Sequence, residues 1–185
     1  MGKIAKVKPY TIENGDGIRV SIFFSGCEHY CKNCFNSELW DFDVGEELTT
    51  DYYNKLIYPL INEYVKGISL LGGSPLHPRN IIDTWTLIQW FKTDFPDKDI
   101  WVYTGYHWEY LMRIYKNDKK FKKIFPKGYI PYPYVQVLEN IDVLVDGKFI
   151  EEKKQLRLAY RGSTNQRIID VQKSLRENKI VLYKE

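Results

Sequence analysis

The chain has 185 residues, 44% of them hydrophobic and 28% charged, with a formal net charge of +3. That length buries one sizeable core, and so slight a positive excess gives no reason to expect a nucleic-acid partner. No run of about 18 apolar residues is present, so no membrane-spanning helix is expected, and residues 1–8 lack the long apolar core of a secretory signal.

Residues 9–16, with Asn14-Gly15 and then Asp16-Gly17, read as a turn-rich lead-in. Ile18-Arg19-Val20-Ser21-Ile22-Phe23-Phe24 alternates and is β-branched or aromatic, which predicts the first strand. Thr49 or Thr50 caps a predicted helix to about Lys66, whose Leu56, Leu60, Tyr64 and neighbouring Ile57, Ile61 and Val65 form one stripe. Pro59 is expected to kink it. Gly67-Ile68-Ser69-Leu70-Leu71 predicts a second strand ending at Gly72-Gly73-Ser74-Pro75, and a helix follows over residues 79–94 until Pro96. Residues 99–105 predict strand three, and Trp108, Leu111, Met112 and Tyr115 mark the next helix. Its continuation, residues 116–123, is basic and less periodic, and the Pro-rich residues 129–134 read as a loop. Residues 141–145 predict strand four. Ser163-Thr164-Asn165-Gln166 has capping-box spacing and predicts a helix to about Arg176, and residues 179–183 read as a last strand.

Strands alternating with helices imply βα units and a mainly parallel sheet. About four such units are too few for the eight-stranded barrel of roughly 250 residues. The expectation is therefore an α/β fold, a partial, open (β/α) barrel, formed by a single domain over residues 1–185. Its working rim is the C-terminal ends of the strands. The cysteine loop, Gly72-Gly73 and Thr104-Gly105 all fall there.

The protein's 3 cysteines, Cys27, Cys31 and Cys34, lie in one short loop, residues 25–36. Clustered thiols without an export signal suit a reducing cytoplasm, and an odd number argues against a disulfide framework. Three thiolates spaced C-x3-C-x2-C on a loop that spans at most about 25 Å extended can converge on one centre. A 4Fe-4S cluster normally takes four cysteines, so three leave one iron open for chemistry. Zinc is the rival, with His29 completing a closed Cys₃His set.

C-x3-C-x2-C after a first strand, with Gly-Gly after the second, resembles the radical S-adenosylmethionine superfamily. Closer still, the chain resembles the activating proteins of anaerobic (class III) ribonucleoside-triphosphate reductases. That likeness rests on Asn14-Gly15-Asp16-Gly17-Ile18-Arg19, Ser25-Gly26-Cys27, Cys34-Phe35-Asn36, Trp40, Gly72-Gly73, Pro75-Leu76, Asp99-Ile100-Trp101, Thr104-Gly105-Tyr106, Val143-Leu144-Val145-Asp146-Gly147-Lys148 and Arg161-Gly162-Ser163-x-Asn165-Gln166, in order across nearly the whole chain.

The resemblance implies that Cys27, Cys31 and Cys34 ligate the cluster. It implies that Asn33, Cys34 and Phe35 lie beside the adenine of S-adenosyl-L-methionine, and that Gly72 and Gly73 let backbone approach its methionine end. Ser74 departs from the family, which usually carries an acid there to hold the cofactor's ammonium. Serine offers a hydrogen bond without charge, so weaker cofactor binding is expected. Thr104 is a further candidate for the cofactor site, with Tyr106 beside it. His77 and His107 have no second ligand near them in sequence and are expected at the surface or a helix start. Lys116 to Lys123 is a solvated helix face within an extension over about residues 116–134, available to a partner. Ser163 and Gln166 are accounted for by capping, with Arg161 and Asn165 beside them.

The implied function is reductive cleavage of S-adenosylmethionine to make a glycyl radical on the large subunit of the anaerobic reductase. Reduced flavodoxin or a similar protein is the implied electron donor. Neither nucleic acid nor a membrane is an implied partner. The alternatives are an activase for another glycyl-radical enzyme such as pyruvate formate-lyase, a small-molecule radical enzyme such as a deazapurine synthase, or, in a different class, a zinc-binding or electron-carrying module.

Overall fold

The computed structural model describes residues 2–124 and 132–184. Among these, β1 (Lys3–Thr11), β2 (Ile18–Phe24), β3 (Glu46–Glu47), β4 (Val65–Gly72), β5 (Asp99–Tyr103), β6 (Val143–Asp146) and β7 (Arg167–Asp170) form one sheet in the order β3-β1-β2-β4-β5-β6-β7. The central strands β2, β4, β5 and β6 run parallel. Antiparallel β1 and β3 flank them on one side and β7 on the other. The helices are α1 (Thr50–Ile57), α2 (Ile81–Asp94), α3 (Trp108–Ile124), α4 (Pro133–Asn140) and α5 (Val171–Glu177).

Strand alternation separates two faces. Val20, Ile22 and Phe24 of β2, Ile68 and Leu70 of β4, Ile100 and Val102 of β5 and Leu144 of β6 join Leu87, Ile88 and Phe91 of α2, Leu111 of α3 and Leu138 of α4 in the main core. Each such side chain contributes about 1.5–3 kcal/mol on burial, so this helix-covered face supplies most of the stability. The other face carries only small clusters, Phe23 with Leu71 and Trp101 with Val143 and Val145. It also holds a polar knot around fully buried Arg19. The Arg19 guanidinium donates to Ser69 Oγ at 2.8 Å, to the Ile68 carbonyl at 2.7 Å and to the Asp16 carbonyl at 3.1 Å, and it is ion-paired with Asp99. Ser69 Oγ in turn donates to the Asn14 carbonyl at 2.5 Å. The glycine-rich 14–17 turn is thereby tied across this face.

The expected α/β class and the parallel centre of the sheet are present, and several boundaries differ. β1 was not expected. Lys3, Lys6 and Lys8 interrupt its apolar alternation, and its pairing with β2 slips between Ile4 and Lys6 and again between Lys8 and Thr11. The Thr49 cap forms, its Oγ1 accepting from the Tyr52 N–H at 3.1 Å, but the helix stops at Ile57. Pro59 opens a 3-10 turn over Tyr58–Ile61 instead of kinking a longer helix, and β4 starts at Val65. The basic residues 116–123 continue α3 without a break. Pro133, expected in a loop, begins α4, where its fixed φ suits a first turn; residues 125–131 lie outside the described residues. Half of the capping box forms, Gln166 Oε1 accepting the Ser163 N–H at 3.2 Å, while the Gln166 N–H donates to the Ser163 carbonyl at 3.1 Å rather than to its hydroxyl. It closes a turn rather than a helix, because residues 167–170 are claimed by pairing with β6. Asp170 caps the later α5, accepting from the Lys173 N–H at 2.9 Å. The expected last strand is reduced to a single bridge, Ile169 to Leu182. Among the described residues no helix is long and apolar enough to cross a membrane.

Candidate metal centre

β2 delivers the chain to the strand-end rim, and the cysteine loop begins there. Its base is stitched by backbone from three directions. Ser25 N–H donates to the Lys3 carbonyl at 2.9 Å, Gly26 N–H to Leu39 at 2.8 Å and Cys27 N–H to Trp40 at 3.0 Å. Gly73 N–H donates to Phe24 at 2.7 Å and Ser74 N–H to Gly26 at 2.9 Å. The Asn80 side chain adds a bond to the Ser25 carbonyl at 2.8 Å. Further on, Tyr30 and Asn33 take left-handed φ values of 48° and 55°, and Cys34 N–H closes onto the Cys31 carbonyl at 3.1 Å. These turns curl the loop so that all three thiols, none in a disulfide, face one cavity.

The Gly72-Gly73 pair has a structural reason of its own. Gly72 sits at φ +103°, and a Cβ there would lie 2.6 Å from the Phe24 carbonyl oxygen. A Cβ on Gly73 would lie 2.6 Å from the Gly26 carbonyl oxygen. The end of β4 therefore approaches the loop's base more closely than any side chain permits.

Cys27, Cys31 and Cys34 border a cavity of about 130 Å³ together with Gly72, Gly73 and Thr104. A second cavity of about 470 Å³ lies next to it, and the two share Cys34, Asn36, Leu71, Tyr103, Phe149 and Gln166. Phe35 borders the larger one, 59% exposed and 5.1 Å from the Phe149 ring. Asn33 is exposed and borders neither cavity. Ser74 is fully buried, its Oγ has no hydrogen-bond partner, and it too borders neither cavity. Thr104 Oγ1 accepts the Tyr106 N–H at 3.2 Å, while the Tyr106 ring meets His29 edge-on at 4.7 Å.

Burial pushes the Cys27 and Cys31 thiols up, so deprotonation there depends on a bound cation. Burial, reinforced by Lys148, holds His29 down at about 4, a neutral imidazole at ordinary pH.

The other histidines take different roles. His77 is buried rather than at the surface. It does mark a helix start: its Nδ1 accepts the Arg79 N–H at 3.2 Å and its Nε2 faces Glu28 at 3.1 Å. His107 lies with Glu109 and Asp146 in a group close enough for a cation, but Arg167 already fills it, pairing with both carboxylates. Lys116, Lys120, Lys122 and Lys123 are exposed, whereas Lys119 pairs with Glu139 of α4. Asn165 and Gln166 staple two motifs: Gln166 Nε2 donates to the Gly147 carbonyl at 3.0 Å and Asn165 Nδ2 to the Lys148 carbonyl at 2.9 Å, while Arg161 Nη1 donates to the Gln166 carbonyl at 2.8 Å.

Trp40, Tyr103, Phe149 and Gln166 were not expected at the site. Tyr103 was open to discovery, since alternation with Val102 turns it away from the helices. Gln166 was obscured by its capping spacing, and the approach of Phe149 depends on tertiary folding alone.

Comparison with known proteins agrees with this geometry. A family model described as a 4Fe-4S single cluster domain matches residues 13–169. The anaerobic ribonucleoside-triphosphate reductase-activating protein of Vibrio cholerae is 40% identical over 160 residues, 85% of this chain and 91% of that protein. The Escherichia coli K12 protein of the same name is 38% identical over 160 residues, 85% and 92% of the two chains. That of Enterobacteria phage T4 is 32% identical over 163 residues, 88% and 90%. A three-thiol loop on a parallel-strand rim, a glycine turn fitted against it and near-complete alignment lead to one conclusion: the chain belongs to the 4Fe-4S single cluster domain family and to the anaerobic ribonucleoside-triphosphate reductase-activating proteins.

Proposed function

We propose that this protein activates an anaerobic ribonucleoside-triphosphate reductase by reductive cleavage of S-adenosyl-L-methionine, leaving a glycyl radical on the reductase's large subunit. The observation that carries the reading is the meeting of Cys27, Cys31 and Cys34 with the Gly72-Gly73 turn at one cavity. Cys27, Cys31 and Cys34 would hold a 4Fe-4S cluster and leave its fourth iron without a protein ligand. A cluster held there would supply the electron for reductive cleavage of S-adenosyl-L-methionine.

The chain's own residues bind, orient and shield. Cys27 and Cys31, with thiols raised by burial, release protons as metal is bound. The glycine turn leaves its backbone open toward the methionine end of the cofactor. Phe35 lies at the mouth of the larger cavity, where a ring can cover the adenine, with Asn33 and Cys34 on the same turn. That cavity, about 470 Å³, is of the size that takes a small molecule, and its openness to the rim admits a protein segment. A glycine-bearing segment of the reductase entering there would present its Cα hydrogen for abstraction. The polar inner face of the sheet supports a partial, open (β/α) barrel acting as a single domain. A reduced flavodoxin or similar protein supplies the electron, in the cytoplasm.

The test is anaerobic reconstitution with iron, sulfide, S-adenosylmethionine, a reductant and the reductase, followed by electron paramagnetic resonance. A glycyl-radical signal on the reductase is the expected result. Cofactor cleavage without that signal would move the chain to a different target, and a zinc-loaded protein without turnover would end the proposal.

A further inference from the structure

Trp40 belongs to the ordered motifs, yet nothing in the function above uses it. The residue borders the cavity that gathers Cys27, Cys31 and Cys34. Its Nε1 is buried and has no hydrogen-bond partner. An indole nitrogen can only donate, and a buried donor left unsatisfied is destabilising. The residue is also held in place. The Trp40 carbonyl accepts the Cys27 N–H at 3.0 Å, the Trp40 N–H donates to Ser37 at 3.2 Å, and the Tyr30 ring meets the indole edge-on at 5.3 Å. Because Tyr30 lies between Cys27 and Cys31, the indole is clamped to the metal-binding loop both through its backbone and through its ring.

A neutral donor on a residue that shares its cavity with three thiols calls for an acceptor, and sulfur supplies it. Thiolates and bridging sulfides carry negative charge and accept N–H bonds. Resting on the cluster reading given above, we propose that the Trp40 indole N–H donates a hydrogen bond to a sulfur of the cysteine-held cluster and raises its reduction potential. Donation stabilises the reduced state more because that state is the more negative, and hydrogen bonds to sulfur are among the factors that set such potentials. The effect eases electron entry from the donor protein. His29 Nε2 is a second unpartnered ring nitrogen at the same cavity. An imidazole nitrogen accepts or donates according to its tautomer, so its sign is open, whereas that of Trp40 is fixed.

The experiment needs neither reductase nor turnover. The full chain is reconstituted anaerobically as parent, as Trp40→Phe, and with benzothienylalanine at position 40, which keeps the indole's shape and replaces its N–H with sulfur. Iron and sulfide are counted, and the cluster's midpoint potential is read by redox titration followed by electron paramagnetic resonance. The expected result is an unchanged cluster content and a more negative potential in both variants. An unchanged potential in the isostere overturns the inference, including the case where only Trp40→Phe shifts, since that shift would come from altered packing. Should Trp40→Phe fail to hold iron, the isostere alone decides. Failure of the broader functional reading shows separately, in the parent, as absence of a glycyl radical on the reductase.

Discussion

Gly26, the residue before the first thiol, gives the most searching test of how the loop is built. It sits at φ +85°, and a Cβ there would overlap the ring of Phe42. That ring cannot simply swing away. It lies 4.7 Å from the His77 ring, and the Arg79 guanidinium stands 4.0 Å above it. Gly26→Ala therefore carries a left-handed backbone cost of about 1–2 kcal/mol and an overpacking cost of about 1–3 kcal/mol. The sum, about 2–5 kcal/mol, lowers the melting temperature of a chain this size by about 2–4 °C per kcal/mol. Because Gly26 also accepts the Ser74 N–H at 2.9 Å, the displacement spreads to the glycine turn, and iron bound per chain falls. The assay is anaerobic thermal melting with iron analysis on parent, Gly26→Ala, Phe42→Ala and the double variant. Relative to Phe42→Ala alone, the double variant should show only the backbone part of the loss. A Gly26→Ala protein with parental melting and full iron would refute the reasoning.

Other expectations concern the ligands, the cofactor and the sheet. Cys27→Ser, Cys31→Ser and Cys34→Ser should each lose cofactor cleavage while keeping far-ultraviolet circular dichroism, since the loop's base is held by backbone; a variant with full iron content and turnover would remove that cysteine from the ligand set. Arg19→Met should cost about 3 kcal/mol, near the low end for a broken buried pair because the Asp99 side chain keeps 35% exposure; denaturant melts check this. Lys184 and Lys66 hold Asp16 down from 3.8 to about 2. Its folded pKa is below its unfolded one, so its stabilisation is complete above about pH 4 and is lost as pH falls toward about 2. Asp16→Asn should flatten the acid limb of the stability curve over that window, and less so at high salt.

The central strands were legible because apolar and β-branched residues recur with strand spacing, at Ile18, Val20, Ile22 and Phe24 and at Ile68 and Leu70, with Arg19, Ser21 and Ser69 between them. β1 was not, since an antiparallel margin needs only one covered face, and lysines occupy much of the rest. Ser163 to Gln166 shows how a correct local reading leads to a wrong element. The side-chain-to-backbone bond forms as expected, yet a capping box fixes only one turn, and long-range pairing with β6 makes Arg167 to Asp170 a strand. The cysteines and Gly72-Gly73 were legible because their spacing is itself the chemistry. Phe149 and Trp40 reach the same cavity from separate segments, a convergence that spacing does not encode.

The two-faced sheet also bears on mechanism. The glycines at positions 26, 72 and 73 are demanded by neighbouring protein atoms, Phe42, Phe24 and Gly26, so the thiol cavity is shaped before any cofactor arrives. The apolar load that pins this shape is on the helix side, where Leu87, Ile88 and Phe91 meet the strands. The opposite face is thereby released from most of the work of stability, and it can keep polar groups whose partners are missing. Tyr103 illustrates the point: its hydroxyl is buried without a partner and borders both cavities. A hydroxyl in that position is destabilising in the free protein, and a bound ligand that satisfies it recovers the loss. Sites of this kind concentrate unsatisfied donors where the ligand will be, and the fold tolerates them because its core lies on the opposite side of the sheet.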